Sequence, residues 1–322
     1  MTTDNSVSEL PESLLEAVAY FSDPARCHDL LVSMRWAGVP VCSKCGAKEV
    51  GFLAKQRRYK CRKCRVFFSA KQGTIFEDSP ISLRKWFIAI WLVTNAKNGI
   101  SSCELGRALA VTQKTAWFML QRVRLAFHVG SFDKKLCGIV EVDETYIGGK
   151  ARNMHKDKRE ERIKGRGTTG KVIVMGLLER KGEVRAQVIG NIKRKTLQDQ
   201  IASHVEPGSE VHSDQLASYR GLDPEYVHNV INHAERYVEG HVYTNGVENF
   251  WSLLKRTIKG TYTSCEPFHL FRYLDEQTFR YNNRRETDGG RFVRVMGTVA
   301  GRRLAYKDLI GEKTEKRPGR KR

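Results

Sequence analysis

The sequence has no long apolar run. Its longest uncharged apolar stretch, Trp86 to Val93, falls far short of the roughly 18 residues a membrane-spanning helix needs. No membrane partner is therefore expected. The opening residues, Met1 to Pro11, are acidic and polar where a secretory signal is basic and then apolar. A cytoplasmic location is the expectation. Acidic residues are also in short supply: 36 aspartates and glutamates face 56 lysines and arginines, for a net charge of +20 and a pI near 9.7. Such an excess points to a polyanionic partner. It is not the signature of a disordered basic tail, because 40% of the 322 residues are hydrophobic, enough for about two or three packed domains. Half of the few cysteines, Cys27, Cys103, Cys137 and Cys265, are scattered without ligand spacing and read as reduced, buried or incidental thiols.

The other four stand in two pairs, Cys42-Ser43-Lys44-Cys45 and Cys61-Arg62-Lys63-Cys64, fifteen residues apart. Two such knuckles bring four thiolates to the corners of one tetrahedron, the geometry Zn²⁺ accepts in closed structural sites. Gly46 lets the backbone turn tightly after the first pair. The insert carries Val50-Gly51-Phe52-Leu53 and Tyr59 and reads as a small hairpin. A zinc ribbon is expected, a recognition module whose folding depends on metal.

Ahead of the ribbon, Leu14, Leu15, Val18 and Phe21 recur at helical spacing. From Ser82 to about His128 the pattern is helical, broken at Asn98-Gly99 and at Ala110-Val111-Thr112. Ser101 and Glu104 form a capping-box pattern for the second helix, and Thr112 suits the cap of the third. In the third, Ala116, Leu120, Val123 and Phe127 form an apolar stripe, with Gln113, Lys114, Gln121 and Arg124 off it. A short helix, a tight turn and a longer helix with amide and basic side chains is what a helix-turn-helix offers to DNA. A plain helical connector has the same pattern.

From Gly138 the period becomes alternating. Ile139 to Thr145 places Val140 and Val142 on one face and Glu141 and Asp143 on the other. Lys171 to Leu178 reads as a central strand, and Glu183 to Ile189 follows across the turn signal Lys181-Gly182. A helix over Thr196 to His204, strands over Ser209 to Ser213 and Val227 to Ile231, and a helix from Thr244 to about Ile258 complete an α/β order with a mixed sheet. Pro267 to Asn282 carries aromatic residues at core spacing and should pack on this domain, whereas 312–322 has no apolar residue and reads as a disordered basic tail. Asp143, Asp214 and Glu248 sit at strand positions and a helix entry turn, where distant side chains can converge on two hard divalent cations, Mg²⁺ or Mn²⁺. By spacing alone, any three of the 36 acids could be chosen, and most acids are solvated surface groups. Asn245, Glu248, Ser252 and Lys255 share one helix face. Asn245 and Glu248 could both reach a metal; the carboxylate, which supplies charge, is the choice. Lys255 suits a DNA phosphate, and the basic stretch Lys150 to Lys171 reads as a loop over the site.

Several stretches together resemble the zinc-ribbon DDE transposases of bacterial insertion sequences, the ISXO-like group. They are RWAGVPVCSKCG (35–46), KCRKC (60–64), GTIFEDSPISLRKWF (73–87), VDETYIGGK (142–150), HSDQLASY (212–219), TNGVENFWSLLKR (244–256) and GTYTSCEPFHLFRYLDEQTFRYNNR (260–284). The resemblance covers about residues 20 to 300 in the expected order. It implies an α/β, ribonuclease-H-like catalytic domain, divalent-metal dependence, and cleavage and strand transfer at the terminal inverted repeats of a mobile element. It places the three catalytic acids at Asp143, Asp214 and Glu248, with Lys255 further along. Tyr243 departs from the histidine frequent before Thr-Asn in the group, so no histidine role is carried there. Double-stranded DNA, both repeat and target, is the implied partner, with a homo-oligomer joining two ends in the nucleoid of a bacterial cytoplasm.

The expected organisation is an N-terminal helix and ribbon over 1–75, a helix-turn-helix-like region over 76–135, the catalytic domain over 136–300 and a basic tail over 301–322. Two other readings fit parts of this pattern. A zinc-ribbon regulator with an inactive ribonuclease-H-like domain would leave the acids without a purpose, and a nuclease would cleave without joining.

Overall fold

The computed structural model describes residues 10–127, 134–149, 155–157, 160, 168–222, 225–231, 243–263 and 265–310. The chain forms two compact units, one of Met1–Phe127 with Glu286–Arg322 and one of His128–Arg285.

The first unit opens with α1 (Leu14–Tyr20), capped by Ser13 and Glu16 in a reciprocal capping box, and α2 (Pro24–Trp36), capped by Asp23 with proline in the first turn. A three-stranded antiparallel sheet follows, β1 (Val50–Leu53), β2 (Arg58–Cys61) and β3 (Phe67–Phe68). Its knuckles bring Cys42 Sγ within 3.6 Å of Cys64 Sγ and Cys45 Sγ within 3.6 Å of Cys61 Sγ, and all four sulfurs lie within 4.8 Å of one another. Four converging thiols with no other donor are a soft tetrahedral set that fits zinc. Each knuckle turns through a left-handed residue at the same place, Gly46 (φ 71) in the first and Arg65 (φ 58) in the second. Backbone donation from Cys45 draws the Cys42 thiol down while the crowded thiols push Cys45 up, the mark of sulfurs that share protons until a metal replaces them. The ribbon's own core is little more than Tyr59 and Phe68, stacked at 5.4 Å, with Trp36 edge-on to both.

Three helices complete the N-terminal part: α3 (Leu83–Asn95), α4 (Ser102–Leu109) and α5 (Gln113–Phe127). Ser101 Oγ accepts from Glu104 N–H at 3.1 Å and Thr112 Oγ1 from Thr115 N–H at 3.2 Å, so both sequence caps form at the donor end. The turn between α4 and α5 is tight, with Ala110 left-handed (φ 49). A Cβ on Gly106 would fall 3.1 Å from the Val111 carbonyl oxygen, so glycine is what lets the turn close. The free face of α5 differs from the sequence expectation. Gln121 and Arg124 are buried, and Arg122 donates inward to the carbonyls of Ile75 (3.0 Å) and Glu77 (2.7 Å). Only Thr112, Gln113 and Lys114, at the helix entry, are exposed. The helix is core over most of its length because its apolar stripe is covered on both flanks.

The segment expected to close the catalytic domain near residue 300 belongs here instead. In α9 (Asp288–Met296), Phe292 is fully buried against Phe21 (5.2 Å), Trp91 (5.7 Å) and Phe87 (6.0 Å). Ile75 N–H donates to Val299 O at 3.0 Å and Gly301 N–H to Gly73 O at 2.8 Å. Residues 301–310, assigned from sequence to the tail, are also packed: Leu309 of α10 (Tyr306–Ile310) is completely buried. The aromatic burial outweighs sequence proximity to the catalytic strands. The remainder of the tail lies outside the described residues.

The second unit is a five-stranded sheet of β4 (Ile139–Ile147), β5 (Val172–Glu179), β6 (Val184–Ile189), β7 (Glu210–Asp214) and β8 (Val227–Ile231), in spatial order β6-β5-β4-β7-β8. The first three form an antiparallel meander and the last two run parallel to β4. This is a ribonuclease-H-like sheet, with β4 in the middle and β5, as its apolar run requires, paired on both sides. Val140, Val142, Met175 and Leu177 face α6 (Arg194–His204) in one core. Val174, Leu178 and Ala186 face α7 (Asn245–Thr257) and α8 (Leu270–Asn282) in the other. Asn282 bonds both the N–H (2.8 Å) and the carbonyl (3.0 Å) of Val184 and so covers part of the β6 edge. Among the described residues, no helix is long and apolar enough to cross a membrane.

The ribbon is too small to fold on its apolar contacts. Freshly purified protein is expected to carry one zinc ion per chain by elemental analysis. Cys61→Ala should lose it and render the ribbon protease-sensitive while leaving the His128–Arg285 unit resistant.

Candidate active site

Alternation along β4 sends Glu141 and Asp143 to the face covered by α7, opposite Val140 and Val142. A side of the strand that looks polar in sequence is thus interior. β4 and β7 pair in parallel up to Glu141 and His212. Asp143 and Asp214 each lie two residues beyond the last paired position of neighbouring strands, near enough for the charge of Asp214 to bear on Asp143. Asp214 is anchored in a turn of its own, its Oδ1 accepting from Leu216 N–H at 3.1 Å.

Glu248 arrives on α7, whose seating is set by Glu141. The Glu141 side chain is buried, and its Oε2 accepts from Val247 N–H at 3.0 Å, satisfying a donor in the first turn of the helix. Thr244, the N-cap residue, makes no side-chain cap bond. A Cβ on Gly246 would sit 2.7 Å from Glu141 Oε2, so only glycine admits the carboxylate there. Arg180 completes the joint. Its guanidinium pairs with Glu141 Oε1 (3.0 Å), contacts His212 Nδ1 (3.1 Å), donates to the Tyr243 carbonyl (2.8 Å) and lies 3.6 Å from the centre of the Tyr243 ring. Tyr243 therefore has a packing role at the position where the sequence comparison withheld a histidine role.

One turn beyond Glu248, Trp251 Nε1–H donates to Asp143 Oδ2 at 2.9 Å, and Glu144 N–H donates to Oδ1 at 2.8 Å. Asp143 is thus oriented from both oxygens. Its register partner across the sheet is Gly176, where a Cβ would lie 2.5 Å from the Trp251 ring. Burial pushes the Asp143 carboxyl up to about 6, and the nearby charges of Asp214 and Glu248 push it further in the same direction. Glu144 is raised by burial to about 7; a bond from the Tyr219 hydroxyl offsets part of that, and Asp143 and Asp214 add to it.

The charges of Asp214 and Glu248 thus bear on Asp143, and a site that raises two neighbouring carboxyls, Asp143 and Glu144, suits a hard cation that would relieve the repulsion. Their oxygens are not drawn into a tight group: among the described residues, the four cysteines are the metal-sized cluster. Asn245, Glu248, Ser252 and Lys255 are all exposed along α7, as their shared spacing requires. Most of the basic stretch Lys150 to Lys171 lies outside the described residues. Glu141, Glu144, Arg180, Trp251 and Gly176 were not singled out from sequence. An isolated glycine within an apolar strand run signals close approach of another group, and Gly176 is that signal for Trp251.

Gly176→Ala is expected to displace the Trp251 ring and cost about 1–3 kcal/mol, read as a lower melting temperature of the second unit. A pH test isolates the acid strain. Glu144 has a folded pKa above its unfolded value, so the unfolded state releases its proton first and stability falls as pH rises from about 4 through 7. Without added Mg²⁺ or Mn²⁺, Glu144→Gln, which keeps an acceptor for Tyr219, should raise the melting midpoint of the second unit by several degrees at about pH 8 and leave it unchanged near pH 4.

Comparison with known proteins agrees with this division of the chain. The ISXO2-like transposase domain matches residues 135–282, within the second unit, and the transposase zinc-ribbon domain matches residues 22–66. The chain is 28% identical over 249 residues to an uncharacterised protein in transposable element ISH50 of Halobacterium salinarum, a match covering 73% of this chain and 83% of that protein. It is 36% identical over 104 residues to an uncharacterised transposase-like protein of Haemophilus influenzae, covering 32% of this chain and 84% of the relative. With a zinc-ribbon cysteine cluster, a mixed sheet of ribonuclease-H-like order and both family domains in place, this chain belongs to the ISXO2-like transposase family.

Proposed function

We propose that the protein binds the terminal inverted repeats of an insertion sequence and catalyses metal-dependent cleavage and strand transfer into target DNA. The observation that carries this reading is the convergence on Asp143: two N–H donors fix its carboxylate while Asp214 and Glu248 bear on it electrostatically. An acid held this rigidly and pressed by two others is arranged for charge that develops elsewhere, on a transferring phosphoryl group. Asp143, Asp214 and Glu248 would hold Mg²⁺ or Mn²⁺, which supplies charge neutralisation at the phosphate and a more acidic attacking oxygen. The protein's own part is positional. Trp251 and Glu144 keep Asp143 aimed, the Glu141–Arg180 joint keeps α7 and Glu248 over the sheet, and Lys255, two turns along α7, meets a phosphate of the DNA backbone. A DNA 3′-hydroxyl placed in line displaces the far oxygen of the scissile phosphate, so cleavage by water and joining by DNA are one chemistry with two nucleophiles.

Recognition falls to the first unit. Thr112, Gln113 and Lys114 at the exposed entry of α5 reach base edges and phosphates, where a recognition helix makes its contacts. The ribbon supplies further basic contacts to the backbone through Arg62, Lys63 and Arg65. The partner is double-stranded DNA, as repeat and as target, and joining two ends calls for a homo-oligomer on the DNA, within a bacterial cytoplasm.

Alanine at Asp143, Asp214 or Glu248 is expected to abolish both cleavage and joining while leaving repeat binding intact, because what is lost is stabilisation of the transition state. Double replacements should cost little more than single ones. Lys255→Ala should weaken the reaction without ending it. The measurement is incubation with the element's ends, Mg²⁺ and a target plasmid, followed by sequencing of the joints. Full activity of Asp143→Ala or Asp214→Ala would sink the mechanism. An inactive Asn245→Ala beside an active Glu248→Ala would move the third ligand to Asn245.

A further inference from the structure

Further along α7 from the acids, the second unit encloses a cavity of about 540 Å³ between the end of β4 and the end of the helix. Three lysines line it, Lys171, Lys255 and Lys259, together with Gly148, Thr263 and Cys265, and among the described residues no acid is in its lining. Two features show that it is built. Gly148 packs against Lys171 so closely that a Cβ would fall 3.1 Å from its Cγ and 3.3 Å from its Cα, so any larger residue would push the lysine away. On the opposite wall, α7 gives way to a π-helical turn, Ile258–Tyr262, and then to Thr263 at φ 61, a left-handed conformation that a β-branched residue rarely adopts.

That turn is held from behind. The Tyr262 hydroxyl donates to the buried Glu276, which also pairs with Arg280, and Thr257 Oγ1 donates to Gln277 Oε1 at 3.3 Å. Tyr262 further packs edge-on against Tyr273 at 4.8 Å. Backbone strain of this kind persists where surrounding structure enforces it, and it clusters at ligand sites. Here it carries Lys259, one turn after Lys255, into the same cavity.

Three ammonium groups with no counter-charge among the described lining residues call for an anion, and lysine meets phosphate as a mobile point charge. The position selects which phosphate. Lys255 lies seven residues beyond Glu248, about 10 Å along the helix, and Ile147 lies four residues beyond Asp143, about 13 Å along the strand. A DNA strand advances about 3.4 Å per phosphate, so the cavity sits about three to four phosphates from the acids. We propose that Lys171 and Lys259, with Lys255, form a second phosphate site that seats the DNA backbone three to four nucleotides from the reacting phosphodiester. This inference rests on the transposase reading of the acids.

The test uses the full chain with its zinc and without added Mg²⁺ or Mn²⁺, so that binding is read without chemistry, with a fluorescent duplex across a series of salt concentrations. Lys171→Gln with Lys259→Gln should weaken binding about tenfold or more and flatten the slope of log affinity against log salt by about two, one for each lost phosphate contact. Lys181→Gln with Lys193→Gln removes the same charge from exposed positions elsewhere on the unit and should leave the slope nearly unchanged. Maleimide labelling of Cys265, read by peptide mass spectrometry, should be suppressed by the duplex and not by inorganic phosphate. An unchanged slope in the first double variant, an equal loss in the second, or protection of Cys265 by inorganic phosphate alone would each overturn the proposal. Failure of the transposase reading is a separate result, cleavage that survives Asp143→Ala, and does not alter the binding measurement.

Discussion

A buried carboxylate at the mouth of a helix holds the catalytic unit together. Glu141 leaves the central strand, enters the space that Gly246 keeps open, and accepts from the first turn of α7, while Arg180 balances its charge. A buried ion pair is weak evidence of net stability, since desolvation offsets most of the attraction. Removing one partner, however, leaves an uncompensated charge and costs several kcal/mol. The pair therefore acts as a registry device. It fixes where α7 begins relative to β4, and with that it fixes where Glu248 and Trp251 stand relative to Asp143.

Packing and electrostatics at the site are matched through glycines. Gly176 makes room for the Trp251 indole, which orients Asp143; Gly246 makes room for Glu141; Gly148 makes room for Lys171. At each, a side chain would occupy space that a functional group needs. The result is a line of chemistry along one helix, with acids at its entry and lysines at its end, in a protein whose overall charge is strongly positive. Concentrated acid in such a chain has a cost, visible in the raised carboxyls of Asp143 and Glu144, and a bound cation would offset it.

In the first unit the division is different. The ribbon has almost no apolar core and depends on four sulfurs, whereas the helices beside it enclose an aromatic cluster that recruits α9 from beyond the catalytic strands. The catalytic unit is thus inserted between two segments of one core. The chain order of the elements therefore does not follow the packing order.

Local chemistry is what the sequence determined by itself: knuckle spacing for the zinc set, alternation on β4, the hairpin at Lys181-Gly182 and the caps at Ser101 and Thr112; its motifs also offer Asp143, Asp214 and Glu248 as the acids of the proposed site. Each of these depends on residues a few positions apart, or on a short motif that carries its own meaning. Tertiary structure alone decided which polar residues are interior. Gln121 and Arg124 sit off the apolar stripe yet are buried, Glu141 alternates with valines as a solvated acid would yet caps a distant helix, and Phe292 follows the catalytic domain yet packs with Phe21. Burial is set by what covers a face, and a cover that arrives from a hundred or so residues away leaves no periodicity at the place it covers.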